Sequence, residues 1–147
     1  MKIFSCLMIF VTFLAPAIIM AESFETSKYY KAFIELPEQQ RNDERNNQLH
    51  EMFLAEQQVK NIPFRLGDTM DTYLTKRASI PIAEDLGWQV RKKDNGYEVE
   101  RTLFMEGKDY LHYTWFVATS GEITPVNDRT KKLHQMAKRK NTRLPEK

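Results

Sequence analysis

The stretch Tyr110-Leu-His-Tyr-Thr-Trp-Phe-Val-Ala-Thr119 decides the fold. It holds no Gly or Pro, and most of its residues are aromatic or β-branched, the composition of a pleated, half-buried strand. Leu111, Tyr113, Trp115 and Val117 form one alternate set, apolar throughout. Tyr110, His112, Thr114, Phe116 and Ala118 form the other, which is mixed. A strand this apolar on both sides belongs inside a sheet, with a neighbour on each edge.

Those neighbours can be read on either side of it. Trp88–Lys93 and Tyr97–Met105 share the period of two, and Asp94-Asn95-Gly96 separates them. Asn-Gly between strand patterns is a strong hairpin signal. Taken as a two-residue loop, Asn95-Gly96 pairs Lys93 with Glu98 and Arg91 with Glu100, opposite charges on one face. Trp88 and Val90 then join Val99 and Leu103 on the other face. The next turn, Glu106-Gly107-Lys108-Asp109, admits two registers. A two-residue loop with Gly first sets Leu111, Tyr113, Trp115 and Val117 beside Glu98 and Glu100. An odd loop or a bulge sets them beside Val99, Leu103 and Met105. Each large apolar side chain contributes ~1.5–3 kcal/mol on burial, so the odd register is expected. After Thr119-Ser120-Gly121, Glu122–Val126 reads as a last strand, and Pro125 marks it as an edge.

Helical spacing governs the rest. Ser23–Leu36 carries Tyr29/Phe33 and Tyr30/Ile34, with Ser23 or Thr26 as cap and Pro37 as stop. Glu38–Lys60 carries Leu49, Met52, Phe53, Glu56 and Val59, but its first half is polar all round. Asp68 reads as the N-cap of a helix running to about Arg77, with Met70, Tyr73 and Leu74 inward. Ser79-Ile80-Pro81 opens a short turn of helix that Gly87 closes. Asn127 or Asp128 caps a final helix, Arg129 to about Arg139, with Leu133, Met136 and Ala137 inward. Helices, then four antiparallel strands, then a helix make an α+β domain with helices on one sheet face.

The chain has 147 residues, enough for one domain. One positive residue, an apolar core over Ile3–Leu14 and small residues at Ala15, Ala17 and Ala21 read as a secretory signal. Cleavage after Ala21 or after Ala17 fits; an uncleaved anchor is the alternative, since Ile3–Ala21 is close to the ~20 residues a crossing needs. The division expected is a signal at 1–21, one α+β domain over 22–140 and a basic flexible tail at 141–147. The product is exported, periplasmic or secreted. The only cysteine, Cys6, lies in the signal, so the exported chain has no thiol chemistry and no disulfide. Net charge is +2, but Arg129–Lys147 holds eight Lys or Arg against Glu146 alone. Lys131, Lys132, Lys138, Arg139, Lys140 and Arg143 are therefore candidates for contact with an anionic membrane surface. In an exported protein nucleic acid is not the expected partner.

Catalytic patterns are missing from the sequence: there is no Gly-rich phosphate loop, nucleophile elbow or His-Glu-x-x-His. His50, His112 and His134 lie far apart, so no metal site and no cofactor are expected. Glu98 and Glu100 share a face, as paired glycosidase carboxylates do, but Arg91 and Lys93 opposite them favour their charged forms. The expectation is a non-enzymatic module with a protein partner. Its contact surface is the mixed sheet face, through Phe104, Tyr110, His112 and Phe116. A hydrolase would require His112 to converge with a carboxylate.

Gly87-Trp88, Gly96-Tyr97-Glu98-Val99-Glu100, Tyr113-Thr114-Trp115-Phe116-Val117 and Thr119-Ser120-Gly121-Glu122-Ile123 follow one another in an order that resembles PepSY-type exported domains and, more loosely, cystatin-like modules. The resemblance covers residues 80–126. It implies an inhibitory or regulatory envelope role, such as restraining a peptidase. The Asp usual before the last turn is replaced here by Ala118-Thr119.

Overall fold

The computed structural model describes residues 22–64, 67–107 and 109–141. A four-stranded antiparallel sheet in the order β1-β2-β3-β4 is its frame: Ala83–Lys93 (β1), Gly96–Met105 (β2), Tyr110–Ala118 (β3) and Ile123–Pro125 (β4). Helices Lys28–Ile34 (α1), Asp43–Lys60 (α2) and Met70–Ala78 (α3) precede it, and Asp128–Asn141 (α4) follows. This is the expected α+β layout.

The odd register holds. Val99 faces Trp115, Leu103 faces Leu111 and Phe104 faces Tyr110. Trp115, Val99 and Leu103 are fully buried, and they share a core with Ala55 and Val59 of α2, Met70 and Leu74 of α3, and Leu133 and Ala137 of α4. A second cluster of Tyr29, Leu49 and Phe53 ties α1 to α2. The Trp115 indole Nε1 has no hydrogen-bond partner among the described residues. Burial of the ring outweighs that local cost.

The first hairpin differs from expectation by two residues. Lys93 pairs with Gly96, Arg91 with Glu98 and Gln89 with Glu100, so the loop is Asp94-Asn95. A shift of two keeps every side chain on its face. Arg91 still reaches Glu98 at 3.0 Å and Glu100 at 3.3 Å. Gly96 belongs to the strand because a Cβ there would lie 2.2 Å from the Val117 carbonyl oxygen, so β3 tolerates only glycine beside it.

Residues 80–87 form no helical turn. β1 starts at Ala83, and its register slips between Asp85 and Trp88. Gly87, at φ 81°, supplies the left-handed conformation of that bulge, and its N–H donates to Asp85 Oδ1 at 2.8 Å. The helix ends also move. Phe24–Thr26 is a single 3-10 turn, and Ser27, not Ser23 or Thr26, caps α1. Ile34 stays exposed. Glu38–Gln40 is another 3-10 turn, and Asn42 caps α2 by accepting from the Arg45 N–H at 2.8 Å. Thr69 rather than Asp68 caps α3, while Asp68 pairs with Lys76 at 2.8 Å. Asn127 caps α4, accepting from the Thr130 N–H at 2.9 Å. Thr130 turns inward where Met136 was expected to.

Replacing Trp115 with Ala removes the largest side chain of this core and should cost ~3–5 kcal/mol. Against a total of ~5–15 kcal/mol, thermal melting should show a collapse of stability. Melting within a few degrees of wild type would mean that Trp115 lies on the open face.

Candidate functional site

The described helices cover the Trp115 face of the sheet, and none of them lies across the other, where Thr102 and Thr114 are buried by their neighbours and Tyr110 and His112 are exposed. Strand alternation puts Gln89, Arg91 and Lys93 of β1, Glu98, Glu100, Thr102 and Phe104 of β2, and Tyr110, His112, Thr114 and Phe116 of β3 on this open side. Glu100 is its centre. Its carboxylate accepts from Arg91 at 3.3 Å, from the Thr102 hydroxyl at 3.4 Å and from the Thr114 hydroxyl at 3.2 Å. Asn127 ties the start of α4 to this face, with Nδ2 donating to Thr114 Oγ1 and to the His112 carbonyl, each at 3.1 Å.

Three of the four expected contact residues come together at one end. The Tyr110 ring is 5.2 Å from Phe104 and 6.3 Å from His112, centroid to centroid. Tyr110 is 55% exposed, the most exposed large apolar side chain described. Phe116 does not join them. Thr114 stands between, and the Phe116 ring lies over Gly96, where a Cβ would meet its Cζ at 3.0 Å.

His112 does converge with a carboxylate: its Nδ1 lies 3.5 Å from Glu100 Oε2 and 3.2 Å from Thr102 Oγ1. A nucleophile–His–acid relay needs the hydroxyl and the acid on opposite ring nitrogens. Here both fall on Nδ1. A groove of about 260 Å³ lies elsewhere, between Glu51, Leu54 and Gln58 of α2 and Tyr97, Val117 and Gly121. The Tyr97 hydroxyl donates to Glu51 there, and burial, then that hydrogen bond and charge, push the phenol up to about 12. No group of three or more His, Cys, Asp or Glu among the described residues could hold a metal ion. Of the basic candidates, Lys131 and Lys132 are exposed on α4. The side chains of Lys138, Arg139 and Lys140, and Arg143 entirely, lie outside the described residues.

Two charged clusters on the helix side went unseen in the sequence. Arg101 is buried between Asp71 and Asp85: Nη1 reaches Asp71 Oδ1 at 2.8 Å, and Nε and Nη2 clasp Asp85. Its guanidinium stands over the Trp88 ring at 5.1 Å, and the Trp88 indole donates to Asp71 at 2.7 Å. The available signal was one arginine in an otherwise apolar set, Tyr97, Val99, Leu103 and Met105. The second cluster is Glu56, 3% exposed, held by Lys28 at 2.8 Å, Lys60 at 2.7 Å and the Tyr29 hydroxyl. Burial alone would push the Glu56 carboxyl up. Hydrogen bonds from Lys28, Lys60 and Tyr29 overcome it and hold the group below the usual carboxylate range. Burial, then the bond to Glu56, pushes the Tyr29 phenol far above its ordinary value.

Searches of protein-family models, of curated proteins and of solved structures each found no match for this chain.

Because Glu56 binds its proton more weakly when folded than when unfolded, its contribution is present above the unfolded carboxylate range. It is lost as pH falls through the folded value. Glu56→Gln removes the counter-charge of Lys60 and of the half-exposed Lys28, which water partly screens, and should cost about 1–3 kcal/mol at neutral pH. The acid limb of stability against pH should flatten in the variant, as followed by denaturant titration. An unchanged limb would remove Glu56 from the account of acid sensitivity.

Proposed function

We propose that the chain is an exported, non-enzymatic binding module, and that its protein partner docks on the open sheet face over Phe104, Tyr110 and His112. The observation that carries this reading is Tyr110, 55% exposed in a ring cluster on a sheet face that no described helix covers. Aromatic anchors rimmed by polar groups supply most of the affinity in protein interfaces. The rim here is the Glu100 network, whose charges already satisfy one another and so need little rearrangement on docking.

Strand addition at β4 is the competing mode, and that edge is blocked. β4 is short and carries Pro125. Beyond it, side chains take the β3 backbone groups: the Thr114 N–H donates to Thr130 Oγ1 at 2.7 Å, and the His112 carbonyl accepts from Asn127 at 3.1 Å. Recognition on this side therefore falls to side chains of the open face. Export rests on the signal pattern at 1–21, which lies outside the described residues. The likeness to PepSY-type and cystatin-like domains supports an inhibitory or regulatory role toward a peptidase.

A photo-crosslinking residue in place of His112, exposed beside Tyr110, should trap one partner in the producing cell, and the same residue at Thr72, exposed on α3, should not. Tyr110→Ser should weaken capture by ~2 kcal/mol or more, as for an interface anchor, with melting nearly unchanged. Capture that survives Tyr110→Ser but vanishes at moderate salt would move the reading to the basic residues of α4 and the tail.

A further inference from the structure

β1 presents a row of backbone groups to the outside. Asp94-Asn95 is a two-residue loop, so Lys93 and Gly96 flank it as a hydrogen-bonded pair. By alternation Arg91/Glu98 and Gln89/Glu100 are hydrogen-bonded pairs too. The N–H and C=O of Trp88, Val90 and Lys92 then point away from β2. The Lys28 ammonium, donating to the Trp88 carbonyl at 2.6 Å, agrees with that direction; Lys28 is half-exposed and also holds Glu56 at 2.8 Å, so a strand that pairs here displaces it onto Glu56. On the far side of the bulge, the Ile82 carbonyl accepts from the Glu106 N–H at 2.8 Å, so Ile82 and Glu84 face β2 and Asp85 faces out.

The side chains along this edge are polarised. Glu84 and Asp85 stand at its start, and Arg91, Lys92 and Lys93 at its end. Glu84 and Lys92 are exposed and have no ion pair among the described residues, and Lys93 reaches Glu98 only at 3.8 Å, whereas Asp85 is already held by Arg101, so Glu84 and Lys93 are the charges most available to a partner. A strand with acids at one end and bases at the other is complementary to itself when run antiparallel.

We propose that a second copy of this chain adds to β1 antiparallel, about a two-fold axis, joining the two sheets into one. The register follows from the bulge. With Gly87 of each copy left unpaired as the bulge residue, Gln89 meets Gln89 of the second copy on the axis. Trp88 then meets Val90 of the second copy, Asp85 meets Lys92 of the second copy, and Glu84 meets Lys93 of the second copy. The outward backbone rows coincide, because Asp85, Trp88, Val90 and Lys92 are the residues whose N–H and C=O point out. The faces coincide as well: Glu84, Gln89 and Lys93 lie on the open side, and Asp85, Trp88, Val90 and Lys92 on the helix side. Without the bulge, acids of one face would meet bases of the other. The contact is isologous, so each charge pair occurs twice. It uses none of the residues over which a protein is proposed to dock, and it stands or falls separately from that reading.

Bulges and lysines also serve to guard strand edges against pairing, and the experiment separates the two roles. Sedimentation of the purified protein over a concentration series is run on wild type, on Glu84→Lys, on Lys93→Glu and on an equimolar mixture of the two variants. Wild type should be a reversible dimer. Each variant alone sets like charges together at both ends of the contact and should dimerise about tenfold or more weakly. The mixture should regain a dimer, since the exchanged charges then meet opposites at both ends. Lys92→Pro removes an outward N–H that β2 does not use, and it should give a monomer with an unchanged circular dichroism spectrum. A wild type that stays monomeric throughout overturns the proposal. So does a dimer that either charge variant keeps on its own, or a mixture that fails to recover.

Discussion

The pairing of Val99 with Trp115 settles which side of the sheet is core. Strand side chains alternate, so one choice of partner across the β2–β3 turn sends Leu111, Tyr113, Trp115 and Val117 together to one face. That face then has to be covered, and the helices cover it. Ala55, Val59, Met70, Leu74, Leu133 and Ala137 reach it from α2, α3 and α4. The same choice sends Tyr110, His112, Thr114 and Phe116 to the other face, which no described helix covers. Core and candidate surface are thus two consequences of a single register.

Two buried ions fasten the helices to that sheet. Arg101 joins α3 to β1 and β2 through Asp71 and Asp85, and Glu56 joins α1 to α2 through Lys28 and Lys60. Lys28 reaches the β1 backbone as well. Desolvating such groups is expensive, so their net contribution to stability is small, but a helix placed elsewhere would strand a charge in the core. We read them as devices that fix where the helices sit rather than as sources of stability.

Much of this was legible in the chain. The strand order, the edge at Pro125 and the β2–β3 register followed from alternation and from the size of the side chains that would otherwise stay wet. Local signals did worse where several residues compete for one role. Ser23, Thr26 and Ser27 are all cap formers, and tertiary packing of Tyr29 against Phe53 chose Ser27. Asn95-Gly96 is a favoured turn, yet Gly96 was needed in the strand, where β3 passes too close for a side chain. Gly87 read as a helix stop and is a bulge residue instead. Of the candidate surface, the Phe104–Tyr110–His112 cluster was readable from cross-strand pairing. The separation of Phe116, four residues beyond His112 on the same strand, was readable too; its ring's place over Gly96 was not, because Gly96 read as a loop residue.

The open face and the β1 edge offer two different kinds of surface, one of aromatic side chains and one of backbone and paired charge. Both depend on which residues alternation turns outward. Through-space proton contacts across β2 and β3 report this directly, since narrow antiparallel pairs bring their α-protons together. In the register described, Glu98 with Phe116 and Glu100 with Thr114 are the narrow pairs, and each should give a strong α-proton contact in a nuclear Overhauser spectrum. Strong contacts of Phe116 with Val99 and of Thr114 with Arg101 would instead mean a register shifted by one. The core set would then lie on the open face, contradicting both the fold and the surface proposed on it.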